Sequence, residues 1–185
     1  MTPHELPLAG SYDDLFVALS VLIAILASYA ALDLARRVTS AQGNTRHLWL
    51  TGGATAMGFG IWSMHYIGML AFRLPVPVQY DWPTVLLSLL AAILASGVAL
   101  FVVSRQRMGV VRASLASILM GSAIAAMHYI GMAAMRLPAM CHYSPSLFTL
   151  SVVLAIVISF VALWLTFHFR GDPWLGAGER RSAHW

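Results

Sequence analysis

Met64-His65-Tyr66-Ile67-Gly68-Met69 reappears letter for letter as Met127-His128-Tyr129-Ile130-Gly131-Met132, 63 residues later. The offset reaches beyond the hexamer: Met57-Gly58 recurs as Met120-Gly121, Arg73-Leu74-Pro75 as Arg136-Leu137-Pro138, and Tyr80 as Tyr143. Matched flanks at one period define an internal repeat, so the architecture of one copy explains the other. The same offset links SGVAL, from Ser96 to Leu100, with SFVAL, from Ser159 to Leu163, and SYAAL, from Ser28 to Leu32, fits the same place.

Composition gives the solvent in which the repeat lives. Apolar residues make up 59% of the 185 and charged ones only 10%, with a mean hydropathy of +0.77; a soluble domain carries about a quarter charged residues. Five apolar runs, at about 15–35, 47–72, 82–103, 111–135 and 146–169, are each long enough as helices to cross a hydrocarbon layer of about 30 Å. The expected fold is therefore all-α: a polytopic transmembrane bundle of five spans built from parallel two-helix repeats. Residues 1–170 form the membrane unit and 171–185 a polar tail. Spans one and two form one copy and spans three and four the next. The fifth begins a third copy without its second helix, to be completed by further chain or by a symmetry mate. No positively charged segment precedes the first apolar run, so no cleavable signal is expected. The single cysteine, Cys141, allows no intrachain disulfide.

The formal charge of +4 comes with eleven basic residues, all arginine. They lie between spans, where they set orientation and give no reason to expect nucleic acid. One side receives Arg36, Arg37, Arg46, Arg105, Arg107, Arg112, Arg170, Arg180 and Arg181, the other only Arg73 and Arg136. Excess arginine marks the cytoplasmic side, which puts the N-terminus outside, the tail inside and both hexamers in the outer leaflet. From His65 to Arg73 is eight residues, about 12 Å of helix, so the imidazoles sit below the headgroups.

On a helix, positions i, i+3 and i+4 share a face. His65, Gly68 and Met69 then line one stripe, and His128, Gly131 and Met132 repeat it; Met64 and Met127 stand beside the histidines. Imidazole next to thioether, without a carboxylate, suits a soft metal and above all Cu(I), whereas Ca²⁺ or Mg²⁺ needs oxygen ligands. A glycine one turn from each histidine lets a neighbour approach closely. A lone intramembrane histidine is often an interhelical hydrogen bonder and methionine an ordinary gap filler. Duplication in identical hexamers weighs toward function.

The hexamers near the outer ends of alternate spans, the SYAALDLARRV segment from Ser28 to Val38, and the RLP after each hexamer together resemble the bacterial MHYT family of integral membrane sensor domains. The resemblance covers the chain to about Phe169. It implies three such motifs on alternate helices, of which two are present here, and copper binding by Met64, His65 and Met69 and by Met127, His128 and Met132. It further implies sensing of a diatomic gas (O2, CO or NO), location in the bacterial inner membrane, and signalling to a cyclic-di-GMP, histidine kinase or DNA-binding output. Ile67 and Ile130 stand where the family name has threonine, which leaves the implied ligands intact.

Two other readings remain open: a redox protein with haem between His65 and His128, and a copper transport or delivery protein with methionines as stations. No phosphate loop or catalytic triad occurs, so the expectation is a non-enzyme, with a homodimer covering the missing flank. Met140-Cys141-His142 forms a run in an outer loop, read as a plain loop or a copper entry point. Asp33 is placed to pair with Arg36 or Arg37. Tyr29, Tyr66 and Tyr129 are expected to donate hydrogen bonds inside the bundle, and Trp49, Trp82 and Trp174 to anchor at interfaces.

Overall fold

Each long helix starts or stops on a device visible in its sequence. In the computed structural model, which describes residues 10–105, 109–136 and 144–168, Asp13 caps α1 (Asp14–Ser40) by accepting from the backbone N–H of Leu15 at 3.0 Å. Asp81 caps α3 (Trp82–Val103) by accepting from the N–H of Thr84 at 3.2 Å, with Pro83 in the first turn. These carboxylates satisfy donors that the first turn of a helix leaves without partners. Between α1 and α2 (Gly43–Ala71) only Ala41 and Gln42 intervene, and the chain reverses at Gly43, whose φ of +55° favours glycine. α4 (Val110–Ala133) and α5 (Pro145–His168) complete five helices.

Four two-residue strands lock one end of the bundle. β1 (Ser11–Tyr12) pairs antiparallel with β2 (Phe72–Arg73), and β3 (Gln79–Tyr80) with β4 (Met135–Arg136). The start of α1 is thereby tied to the end of α2, and the start of α3 to the end of α4. Asp13 N–H donates to Ala71 C=O at 2.8 Å and Asp81 N–H to Ala134 C=O at 2.9 Å. The two capping carboxylates also accept from arginine: Asp13 from Arg73, and Asp81 from Arg136 at 2.6 Å. Arg73 and Arg136, read from sequence as helix stops, are half of two clasps.

Both clasps titrate in the same sense. Partial burial raises the Asp13 carboxyl, but bonds from the Phe16 and Leu15 N–H groups and the Arg73 charge outweigh it and hold it below its ordinary 3.8. The Thr84 hydroxyl and then Arg136 hold Asp81 low as well. A depressed folded-state value contributes stability that is complete above about pH 3.8 and is lost as pH falls through the lower folded values. Melting followed from pH 7 to pH 3 should therefore show a decline confined to the acid end. Asp13→Asn with Asp81→Asn should lower the midpoint at pH 7 slightly and flatten that decline; an unchanged acid limb would remove the clasps from the account.

Sequence neighbours pack side by side, α1 on α2 through to α4 on α5. The starts of α1, α3 and α5 and the ends of α2 and α4 share the clasped end; Arg36, Arg37, Arg46, Arg105 and Arg112 gather at the other. α1, α3, α4 and α5 are each long and apolar enough to cross a membrane, as in a multi-pass membrane protein. α2 has the length, 29 residues, but lies below that apolarity because it carries His47, Thr51, Thr55, Ser63, His65 and Tyr66 among six glycines. It packs between α1 and α3, which partly cover Ser63, His65 and Tyr66 and leave His47, Thr51 and Thr55 exposed. α1 continues through Arg37 to Ser40, past the expected end near Ala35, supported by the Asp33–Arg37 pair at 2.6 Å. Arg37 also lies over the ring of Trp49, 4.9 Å from its centroid.

The repeat is visible in the packing. A Cβ at Gly58 would lie 2.6 Å from Ile93 Cα, and one at Gly121 would lie 2.5 Å from Ile156 Cα. Both members of the second pair are 63 residues beyond those of the first. Ser96 and Leu100, like Ser159 and Leu163, are buried at their helix contacts. Ser28 and Tyr29 on α1 are exposed, which corrects the placement of Tyr29 inside the bundle: α1 has α2 on one side and no preceding helix on the other. Tyr129 does hydrogen-bond, with the Ser151 hydroxyl. Tyr143, Trp174, the Met140-Cys141-His142 run and the tail 171–185 lie outside the described residues.

Candidate metal centre

The clasps set the two hexamers at one depth. His65 is six residues before Ala71 and His128 six before Ala134, the residues whose carbonyls the clasps hold. The two imidazoles face each other with ring centroids 4.8 Å apart and planes tilted by 56°. Gly131 makes this approach possible, since a Cβ there would stand 3.0 Å from His65 Nε2 and 3.6 Å from Met69 Cε. Met69 and Met127 are buried, at 8% and 4% exposure.

His65 Nε2 is buried and makes no hydrogen bond; Ser96 Oγ is the other such side-chain atom among the described residues. Leaving a buried polar atom without a partner costs about 1–3 kcal/mol. No group of three His, Cys, Asp or Glu residues is close enough to hold a metal ion among the described residues. The hexamer side chains beside the two imidazoles that carry a donor suited to a soft metal are the methionine thioethers, and imidazole with thioether has the chemistry that Cu(I) favours.

Although the hexamers are identical, they use different faces. α2 turns His65 and Met69 toward α4, whereas α4 answers with Gly131 and buries Met127. The contact is head-to-tail rather than face-to-face. What remains is the converse pair of faces: His128 is exposed and Met132 half-buried on α4, while Met64 is half-buried and a Cβ at Gly68 would meet nothing within 4 Å on α2. The sequence-predicted stripes thus meet through His65, Met69, His128 and Gly131, and Met64, Gly68 and Met132 lie at open edges. The expectation that both glycines admit a close neighbour holds for Gly131 alone.

An aromatic wall flanks the imidazoles, and sequence reading missed part of it. Trp62 stacks on Tyr66 at 5.2 Å, Tyr66 meets Tyr80 at 5.3 Å, and Trp62 Nε1 donates to Ser88 Oγ at 3.1 Å. On the other side His128 meets Tyr129 at 5.0 Å and Tyr129 meets Phe148 at 4.5 Å. The four-residue spacing of Trp62 and Tyr66 was the available signal.

Comparison with known proteins adds a family model, MHYT, described as a bacterial signalling protein N-terminal repeat, which matches residues 1–52, 58–116 and 121–177. Two of the stretches begin at the packing glycines Gly58 and Gly121, so the matched unit joins a hexamer to the odd helix after it, half a helix later than a unit drawn as α1 with α2. MucR of Pseudomonas aeruginosa, a bifunctional diguanylate cyclase/cyclic di-GMP phosphodiesterase, is 51% identical over 88% of this chain and 24% of its own length. Signaling protein YkoW of Bacillus subtilis is 42% identical over 85% of this chain and 20% of its own. The cyclic di-GMP phosphodiesterase NbdA of P. aeruginosa is 45% identical over 87% of this chain and 20% of its own. The chain spans about a fifth to a quarter of the length of these relatives. No solved structure matches.

Proposed function

Since the chain belongs to the MHYT family of bacterial signalling proteins, we propose that it is the non-catalytic, membrane-embedded sensory part of such a protein, with a Cu(I) site at its outer end. His65 and His128 hold the ion with the thioether of Met69; Met127 and the edge residues Met64 and Met132 complete the set. The observation that carries this reading is His65 Nε2, buried without a partner and set against a second imidazole 4.8 Å away. When bound, Cu(I) supplies a soft coordination position for O2, CO or NO. The chain's own part is to hold His65 Nε2 and the Met69 side chain buried against the His128 imidazole, and to convert a change in the fit of α2 against α4 into a tilt. With the clasps pinning the outer ends, such a tilt is largest at the arginine-rich ends, which lie in the cytoplasm of a protein in the bacterial inner membrane with its N-terminus outside.

The output is cyclic-di-GMP turnover, by likeness to MucR and NbdA, or a kinase. The open faces of α2 and α4 complement each other as the closed ones do, so a third hexamer-like face, from a second copy in a homodimer or from further chain, completes the site. Haem between the histidines fits less well, because a macrocycle inserted there would force α2 and α4 off Gly131. Protein purified in detergent, loaded with Cu(I) under reducing conditions and washed, should retain up to one copper per chain and show no visible band. A Soret band in the purified protein, or no retained copper, would overturn the reading.

A further inference from the structure

Away from the clasped end, α2 and α4 separate over α3 and leave an apolar groove of about 730 Å³. That volume lies within the ~300–1,000 Å³ typical of ligand pockets. Thr51 and Ala54 from α2, Gly97 and Phe101 from α3, and Leu115 and Leu119 from α4 line it. Thr51 and Thr55 direct their hydroxyls back to the carbonyls of His47 and Thr51 on their own helix, so the lining presents hydrocarbon. Gly97 is the low point of the floor: a Cβ there would meet only Ala54, at an ordinary 3.5 Å.

The mouth at the arginine-rich end is cationic. The Arg105 guanidinium lies 4.5 Å from the ring centroid of Phe101, a lining residue. Arg46 donates from Nη2 to Ser104 Oγ at 2.9 Å, two residues beyond the lining residue Val102. Both cations are thereby held beside the groove. Hydrocarbon walls ending in a positive rim at headgroup depth match an amphiphile with an apolar chain and an anionic head. We propose that this groove binds an acyl chain of an anionic phospholipid, with the lipid phosphate held by Arg46 and Arg105.

The test is native mass spectrometry of the full chain, released from membranes containing equal phosphatidylglycerol and phosphatidylcholine. Phosphatidylglycerol should remain bound in preference to phosphatidylcholine, and excess inorganic phosphate should not displace it. Arg46→Gln and Arg105→Gln should each weaken retention about fivefold, and together about thirtyfold, from the roughly 1 kcal/mol that each near-surface arginine contributes. Gly97→Leu, which fills the groove from its floor, should abolish retention without lowering the melting temperature. The Arg105→Gln single variant, at an exposed position, keeps the test decisive if Gly97→Leu fails to fold. Equal retention of both lipids, or retention unaffected by the rim variants, would overturn the proposal. So would a dimer broken by Gly97→Leu while lipid retention persists, which would assign the groove to a second copy.

Discussion

Gly121→Val is expected to lower the melting midpoint by about 6–12 °C, and Gly58→Val by a similar amount. At both positions even a Cβ would lie within 2.6 Å of a backbone atom of the next helix, Ile156 Cα in one case and Ile93 Cα in the other. Backbone cannot rotate aside as a side chain can, so the helices must part. Overpacking of this kind costs about 3 kcal/mol or more, which in a chain of this size corresponds to that range of temperature. Gly68→Val supplies the contrast, because nothing lies within 4 Å of its Cβ position and its midpoint should hardly move. Differential scanning fluorimetry in detergent would decide the matter. Equal melting of all three variants would mean that the glycines do not set the helix spacing.

The second large effect is on copper. His65→Ala and His128→Ala should each reduce Cu(I) affinity by at least the ~10–100-fold that loss of an outer-shell partner costs at a metal site. The metal-free proteins should separate the variants further. His65→Leu removes a buried nitrogen that has no hydrogen bond, so its apo form should melt no lower than the parent, whereas loss of copper through misfolding would show as a lower midpoint. Met69→Leu keeps the volume of a buried side chain and should cost under about 1.5 kcal/mol while weakening copper binding. Full copper retention by the His65→Ala/His128→Ala double variant would sink the site.

Much of this architecture could be read directly. Five helices, their boundaries to within a few residues at most ends, and the equal depth of the hexamers follow from apolar length and a repeat of 63 residues. The choice of face did not follow. Helical spacing places His128, Gly131 and Met132 together, but it does not say which of them meets α2; that depends on the head-to-tail relation of successive copies, a tertiary property. The clasps were hidden for a related reason. Asp13 and Asp81 precede their helices by one residue, as caps do, and their arginines lie 60 and 55 residues away, so neither pair falls on the repeat period that organised the reading. α1 shows the limit of repeat reasoning: SYAAL matches SGVAL in letters, yet its serine is exposed where Ser96 and Ser159 are buried, because burial belongs to the neighbour and not to the motif.

Copper K-edge absorption of the Cu(I)-loaded, washed protein tests most directly whether the two imidazoles and at least one thioether hold one soft metal ion. The expected spectrum contains both imidazole nitrogen and sulfur in the first coordination sphere, with the nitrogen contribution falling in His65→Ala and the sulfur contribution in Met69→Leu. A first sphere of nitrogen or oxygen alone, or one that neither substitution alters, would contradict that coordination.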